Sequence, residues 1–310
     1  MISLEQLQAG LVIPVDKPRQ WTSFQAVNKI KAVIRNTYGI KKIKIGHAGT
    51  LDPLATGLLL VCIGKATKTI PQLQDGDKVY TGTMVFGATT GCYDLERPID
   101  KYYPYEHITQ QLVSEKAQSF TGTILQVPPM FSAVKIDGQR AYRYARSEVG
   151  GMRPEAGDCV NALMRDCVSE DNTLTQSHNN AISPLPIQPK PVTVYSFEIT
   201  AFRQGDCVNA LMRDCVSEDN TLTQSHNNAI SPPPTHLYQR PLGEVPPQLP
   251  QADFRICCGK GTYIRSLARD LGHALGSGAF LSALRRERIG NYTVDQALSL
   301  EGVEGYLKGF

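Results

Sequence analysis

The chain has 310 residues, 41% hydrophobic and 20% charged, and its 32 Lys+Arg against 29 Asp+Glu give a formal net charge of +3. This is ordinary globular composition, and 8 cysteines in such a length exclude a small disulfide scaffold. The longest apolar run, residues 58–63, is far below the roughly 20 residues of a membrane span, and the opening MISLEQL has no signal-peptide core, so a cytoplasmic protein is expected.

In chain order, residues 12–15 read as a short apolar strand closed by Asp16, Lys17 and Pro18. Thr22 and Ser23 then cap a helix whose apolar positions, Phe24, Val27, Ile30, Val33 and Ile34, recur with a period near 3.6. A basic stretch at 41–44 leads into GHAGTLDP at 46–53, where Asp52 stands in a turn made by Pro53. Gly46, Gly49 and Gly57 allow close backbone approach around it. Residues 58–63 read as a strand buried on both faces, and 79–86 alternates Tyr80, Gly82, Met84 and Phe86 with Val79, Thr81, Thr83 and Val85 as a two-sided strand. Residues 108–120 are helical, and 192–202 and 254–258 are strands, with Cys257 and Cys258 as a buried pair in the second. A helix over 263–275 carries Arg265, Arg269 and His273. Strands and helices scattered without regular βαβ alternation indicate an α/β chain of the α+β or mixed-sheet kind.

Residues 157–184 and 205–232 are identical over all 28 positions, separated by a 20-residue spacer. Solenoid repeats diverge and abut because each packs on the next; these are polar, separate and flanked by Pro-rich sequence. They are expected to be inserted, largely disordered loops. Within them Cys159, Cys167, Cys207, Cys215, His178 and His226 lack the close C-x-x-C pairing of structural zinc, so no metal is expected. Each copy carries four acidic residues against one basic. Without both copies, 254 residues remain with 30 basic and 21 acidic side chains, a net +9. Such a basic body suits a polyanion, nucleic acid first among them.

The 46–64 segment is no phosphate loop, because Gly57 and Gly64 are too far apart and Ala66 replaces the magnesium-binding hydroxyl. An Asp-Pro turn taken alone reads as an ordinary turn; the ordered set of segments says more. VDKP at 15–18 is followed by Thr22 and Ser23, GHAGTLDPLATGLL at 46–59, KVY at 78–80 and Phe86 with Gly87. QVPPMFSAVK at 126–135, GQRAY at 138–142, GKGTYIRSLARDLG at 259–272 and LRR at 284–286 complete it. In this order the chain resembles the bacterial tRNA pseudouridine-55 synthase family, the TruB type, which isomerises uridine in the T loop of tRNA. The resemblance covers nearly everything outside the repeats.

It implies a single catalytic domain over 1–310 with the pseudouridine synthase fold, a mixed and mostly antiparallel central sheet flanked by helices and loops. Matched residue by residue, the catalytic aspartate falls on Asp52, the tyrosine that stacks on the target base on Tyr80, and the arginine that pairs with the aspartate on Arg265. The histidine that fills the space left by the flipped nucleotide falls on His47, an apolar pocket residue on Leu284, and Tyr263 stands two residues before the arginine. An adjacent guanidinium favours the ionised carboxylate, and an aromatic face offers stacking to a flipped base. Breaking N1–C1′ and rejoining through C5 is redox-neutral and hydrolyses nothing, so neither cofactor nor metal is expected. Lys41, Lys42, Lys44, Arg140, Arg143 and Arg146 are placed to meet phosphates.

The implied partner is the tRNA T arm, with no membrane and no obligate protein partner, and the chain is expected to be a monomer. Two departures from the family pattern stand out. Gln20 replaces a common Gly, a turn change expected to be tolerated, and the 45 residues after Arg265 are too few for the β-rich RNA-binding (PUA-like) domain of many relatives, which is expected to be missing. A non-catalytic RNA-binding protein or tRNA chaperone with the same fold is the alternative. A glycosidase built on Asp52 would lack a partner acid in a matching motif.

Overall fold

The computed structural model describes residues 2–131, 135–136, 139–140, 187–205 and 245–309. Both repeats, apart from Gly205, lie outside these residues, as do Arg143 and Arg146. The chain divides into two compact units, residues 1–124 with 192–310, and residues 125–191. In the second, β8 (Lys135–Ile136) and β9 (Gln139–Arg140) pair antiparallel.

The first unit begins with α1 (Leu4–Ala9), β1 (Leu11–Lys17), α2 (Ser23–Tyr38), β2 (Ile45–Ala48) and β3 (Thr56–Ile63). There follow α3 (Ile70–Asp75), β4 (Lys78–Phe86), the hairpin β5 (Ala88–Thr90) and β6 (Ile99–Tyr102), α4 (Gln110–Gln118) and β7 (Gly122–Gln126). After β10 (Lys190–Arg203) come β11 (Gln251–Cys258), α5 (Ile264–Ala274), β12 (Ala279–Ile289), β13 (Tyr292–Thr293) and α6 (Leu300–Lys308). The main sheet has the order β1-β3-β12-β4-β11-β10-β7, with β2 and β13 joining β3 and β12. Among the registers described, β12 and β3 run parallel, at Arg285–Thr56 and Arg286–Gly57, and β1–β3, β2–β3, β12–β4, β4–β11, β10–β11 and β12–β13 run antiparallel. It is the mixed, mostly antiparallel sheet expected. Strands β10 and β11 pair from Val194–Cys258 to Arg203–Gln251, and the second repeat lies between them in sequence.

β3 shows why its run is continuously apolar. Leu59, Val61 and Ile63 pack into the main core with Val27, Ile30 and Ile34 of α2. Leu58 and Leu60 pack on the other face with Ala48 and Ile289. Each fully buried side chain of this size contributes about 1.5–3 kcal/mol, and no position on such a strand is left for a polar residue.

α2 starts as expected, with Thr22 and Gln25 forming a reciprocal capping box, and ends at Gly39 in the left-handed conformation. Phe24 departs from expectation. Its spacing places it on the apolar face, yet it is 70% exposed. Ser23 and Ala26 occupy the buried face instead, with Val27, Ile30, Val33 and Ile34.

Candidate active site

The turn carrying Asp52 is tied down from both sides. The Ser23 hydroxyl accepts from the Leu51 amide at 2.9 Å and donates to its carbonyl at 3.1 Å. The Pro53 carbonyl accepts from the Gln20 amide at 2.8 Å and from Lys17 Nζ at 3.3 Å. Lys17 also donates to Trp21 O at 2.6 Å and Pro18 O at 3.0 Å. Gln20 has a φ of +68°, which explains why glycine suits this turn; glutamine is accommodated there at some strain.

From the opposite side, Arg286 of β12 donates through Nε to Leu58 O at 2.8 Å and through Nη2 to Gly49 O at 3.0 Å. A Cβ at Gly57 would lie 2.4 Å from the Arg286 carbonyl oxygen, so this glycine lets β3 and β12 meet. The aspartate's turn is therefore held by two buried cations that bond to its carbonyls and leave its carboxylate free for another partner.

That partner is Arg265, in the first turn of α5. Its Nε and Nη2 each donate to one oxygen of Asp52 at 2.9 Å, a bidentate charge-assisted pair. Arg265 is 6% exposed and Asp52 35%, so the pair presents its carboxylate outward from a buried guanidinium. Arg265 Nη1 also donates to Cys92 O at 3.1 Å, and Asp94 Oδ2 lies 3.8 Å from Nε. Asp94 is fixed in turn by the Cys92 thiol at 2.9 Å and the Glu96 amide at 2.9 Å.

Burial opposes the charge on Arg265, but Asp52 and Asp94 outweigh it and hold its pKa above the usual value. Burial raises the Asp94 carboxyl although Arg265 counteracts it. Lys17 is lowered to about 8 by burial, which outweighs the favourable field of Asp52.

Tyr80 lies on β4 with Arg286 and Ile256 as its cross-strand neighbours, and is largely buried. Burial raises its hydroxyl pKa; Arg286 pulls it down and Asp52 pushes it further up. Leu284 faces Gly82 across the same strand pair and packs against the main core. His47, on β2, is lowered by burial and by Arg286, and its Nδ1 is buried without a hydrogen-bond partner among the described residues. Tyr263 is the residue before α5, two before Arg265.

Asp52 and Arg265 are thus in direct contact, and Tyr80, His47 and Lys17 all feel the Arg286 charge. Lys17 and Arg286 lie inside quoted motifs but were not read as site residues, because a lysine ending a strand and the second of two arginines look like solvated charges. Asp94 carries no signal in the sequence, since it lies in an irregular segment and meets its partner only in the fold. Among the described residues no cluster of His, Cys, Asp and Glu could hold a metal ion, and no helix is long and apolar enough to cross a membrane.

The family model "TruB family pseudouridylate synthase (N terminal domain)" matches residues 35–175, and "tRNA pseudouridylate synthase B C-terminal domain" matches 265–308. A tRNA pseudouridine synthase B of Flavobacterium johnsoniae is 40% identical over 297 residues, 96% of this chain and 95% of the relative. One from Phocaeicola vulgatus is 37% identical over 298 residues, 96% of this chain and 93% of the relative. Among solved structures, a chain in a Cbf5-Nop10-Gar1 complex aligns with a TM-score of 0.54 at 22% identity, over 98% of this chain and 57% of that one. The fold is that of the pseudouridine synthases. Within that class, the chain belongs to the TruB family.

Proposed function

We propose that this chain is a tRNA pseudouridine synthase, an isomerase that converts uridine 55 of the T loop to pseudouridine, with Asp52 as its catalytic carboxylate. The observation that carries this reading is the partly exposed Asp52 held bidentately by the buried Arg265. A carboxylate so fixed is oriented before substrate arrives, which removes part of the entropic cost of reaching the transition state.

In the reaction the N1–C1′ bond breaks, the uracil turns, C5 joins C1′, and the C5 proton leaves while N1 gains one. Asp52 serves either by attacking C1′ or by taking a proton from C2′; both routes need the same placement. Tyr80 provides the stacking face for the extruded base, Leu284 and Tyr263 wall the pocket, and His47 fills the gap in the RNA loop. The basic body outside the repeats supports tRNA as the partner, bound by a cytoplasmic monomer that requires no second protein.

The test is tritium release from [5-³H]uridine-labelled tRNA. Release by the wild-type chain, lost in Asp52→Asn, is the expected result. Tight tRNA binding without release would overturn the enzyme reading in favour of an RNA-binding or chaperone role.

A further inference from the structure

The groups that hold the inner edge of Arg265, the Cys92 carbonyl and the Asp94 carboxylate, are separated by a single residue, Tyr93. Its φ is +59°, a left-handed conformation that side-chain-bearing residues adopt rarely and that persists where surroundings enforce it. The reversal of the chain at Tyr93 is what lets the carbonyl before it and the side chain after it meet one guanidinium.

The enforcing contacts surround the residue. The Tyr93 amide donates to Thr90 O at 3.0 Å, and its carbonyl accepts from the Leu281 amide of β12 at 3.0 Å. Arg269 Cζ lies 5.5 Å from the centre of the Tyr93 ring, within cation–π range. Arg269 is one helical turn beyond Arg265 on α5, so both arginines project from the same side of that helix. It is buried and is itself held by Asp270 through an Nε–Oδ1 bond of 2.7 Å. One helix therefore grips this turn twice, by its backbone carbonyl and carboxylate through Arg265 and by its aromatic ring through Arg269.

We propose that Tyr93 is a positioning residue for the isomerisation: its ring, clamped under Arg269, sets the left-handed turn that fixes Arg265 against Asp52. This rests on the reading of Asp52 and Arg265 as the reacting centre. Tyr93 touches no substrate in this scheme. Its removal loosens the guanidinium and with it the orientation of the carboxylate, a loss felt in turnover more than in tRNA binding.

The experiment measures tritium release by the full chain under single-turnover conditions, with the tRNA Kd and thermal melting measured alongside. Tyr93→Ala is expected to lower the rate at saturating protein by about 30-fold or more while tRNA Kd stays within about threefold. Tyr93→Phe, which keeps the ring and loses only the hydroxyl's hydrogen bond to Arg269, is expected to stay closer to wild type than to Tyr93→Ala. Arg269→Met is expected to lose turnover as Tyr93→Ala does, and the double variant to be no slower than the worse single one, as for two parts of one contact. A Tyr93→Ala rate within threefold of wild type would overturn the proposal, and so would a Tyr93→Phe variant as slow as Tyr93→Ala. If Tyr93→Ala does not fold, Tyr93→Leu, which removes the aromatic face and leaves the Arg269–Asp270 pair intact, decides by the same margins. A wild-type chain that releases no tritium would overturn the catalytic reading and this proposal together, whereas an active wild type with an indifferent Tyr93→Ala removes the positioning role alone.

Discussion

The two faces of the central sheet carry charges under opposite conditions. On the face of Tyr80, Arg286 stands opposite that tyrosine and Lys17 pairs in register with Gly57 on the neighbouring strand; both cations are almost entirely buried and bond to backbone carbonyls. On the face of Thr81 and Thr83, Arg285 pairs with Asp16 and Arg203 with Asp253, all partly exposed. The second arrangement is what any soluble sheet presents to water. The first is costly, because each buried cation gives up its hydration. Arg286 bonds to the carbonyls of Gly49 and Leu58, and Lys17 bonds to those of Pro18 and Trp21 and reaches that of Pro53, on either side of the turn that offers Asp52 to Arg265. Buried charge marks the face of the candidate site, and the exposed ion pairs lie on the other face.

The contrast is broken most severely at Asp52. Asp52→Asn keeps the shape and removes the carboxylate, so tritium release is expected to fall by about 10³-fold or more with little change in melting temperature. Arg265→Met comes next and acts on both activity and stability. It leaves Asp94 buried without its guanidinium, and loss of one partner from a buried pair costs about 3–5 kcal/mol. Urea unfolding should show that loss, and Asp94→Asn added to Arg265→Met should recover part of it, because the uncompensated charge is gone. A double variant as unstable as the single one would mean that packing, and no longer charge, dominates at Arg265.

Much of the frame was legible in the sequence, for definite reasons. Six consecutive apolar residues on β3 read as a strand covered on both faces, and Thr22 ahead of a run with helical period reads as a helix start. The strands on either side of the second repeat were visible because their apolar residues stand out against its polar sequence. Asp52, Arg265 and Tyr80 were legible through the order of motifs alone, since an Asp-Pro turn, a helical arginine and a strand tyrosine have ordinary explanations one by one. Phe24 misled because a helical period marks a face without saying where the face ends. Lys17, Arg286 and Asp94 were not read because burial of a charge depends on what the fold places over it. Tyr93 is the extreme case, as its positive φ has no trace in residue type.

Lys17 offers a test of the buried face through pH. Its pKa is lowered to about 8 from 10.5, with burial as the main cause. Between those values the unfolded chain binds more protons at this residue than the folded one, so this group's contribution to stability rises as pH increases from about 8 to 10.5. The full change is on the order of 3 kcal/mol. Unfolding free energies of wild type and Lys17→Met, compared at pH 7.5 and at pH 10, should therefore diverge in favour of wild type at the higher pH. A constant difference would mean that its three carbonyl contacts keep Lys17 charged throughout.

The smallest effect belongs to the opposite face. Arg203 and Asp253 form a bidentate pair at 2.6 and 2.7 Å, as short as any contact around Asp52. Their side chains are 49% and 34% exposed, however, so water screens the attraction and rehydrates either partner when the other is removed. Arg203→Met is expected to change stability by less than about 1 kcal/mol, with the difference shrinking in high salt. Turnover should not change at all. Geometry alone would rank this pair with Asp52 and Arg265; burial ranks it far below. A loss above about 2 kcal/mol in urea unfolding would show that the exposed ladder holds the sheet together, and the distinction between the two faces would have to be abandoned.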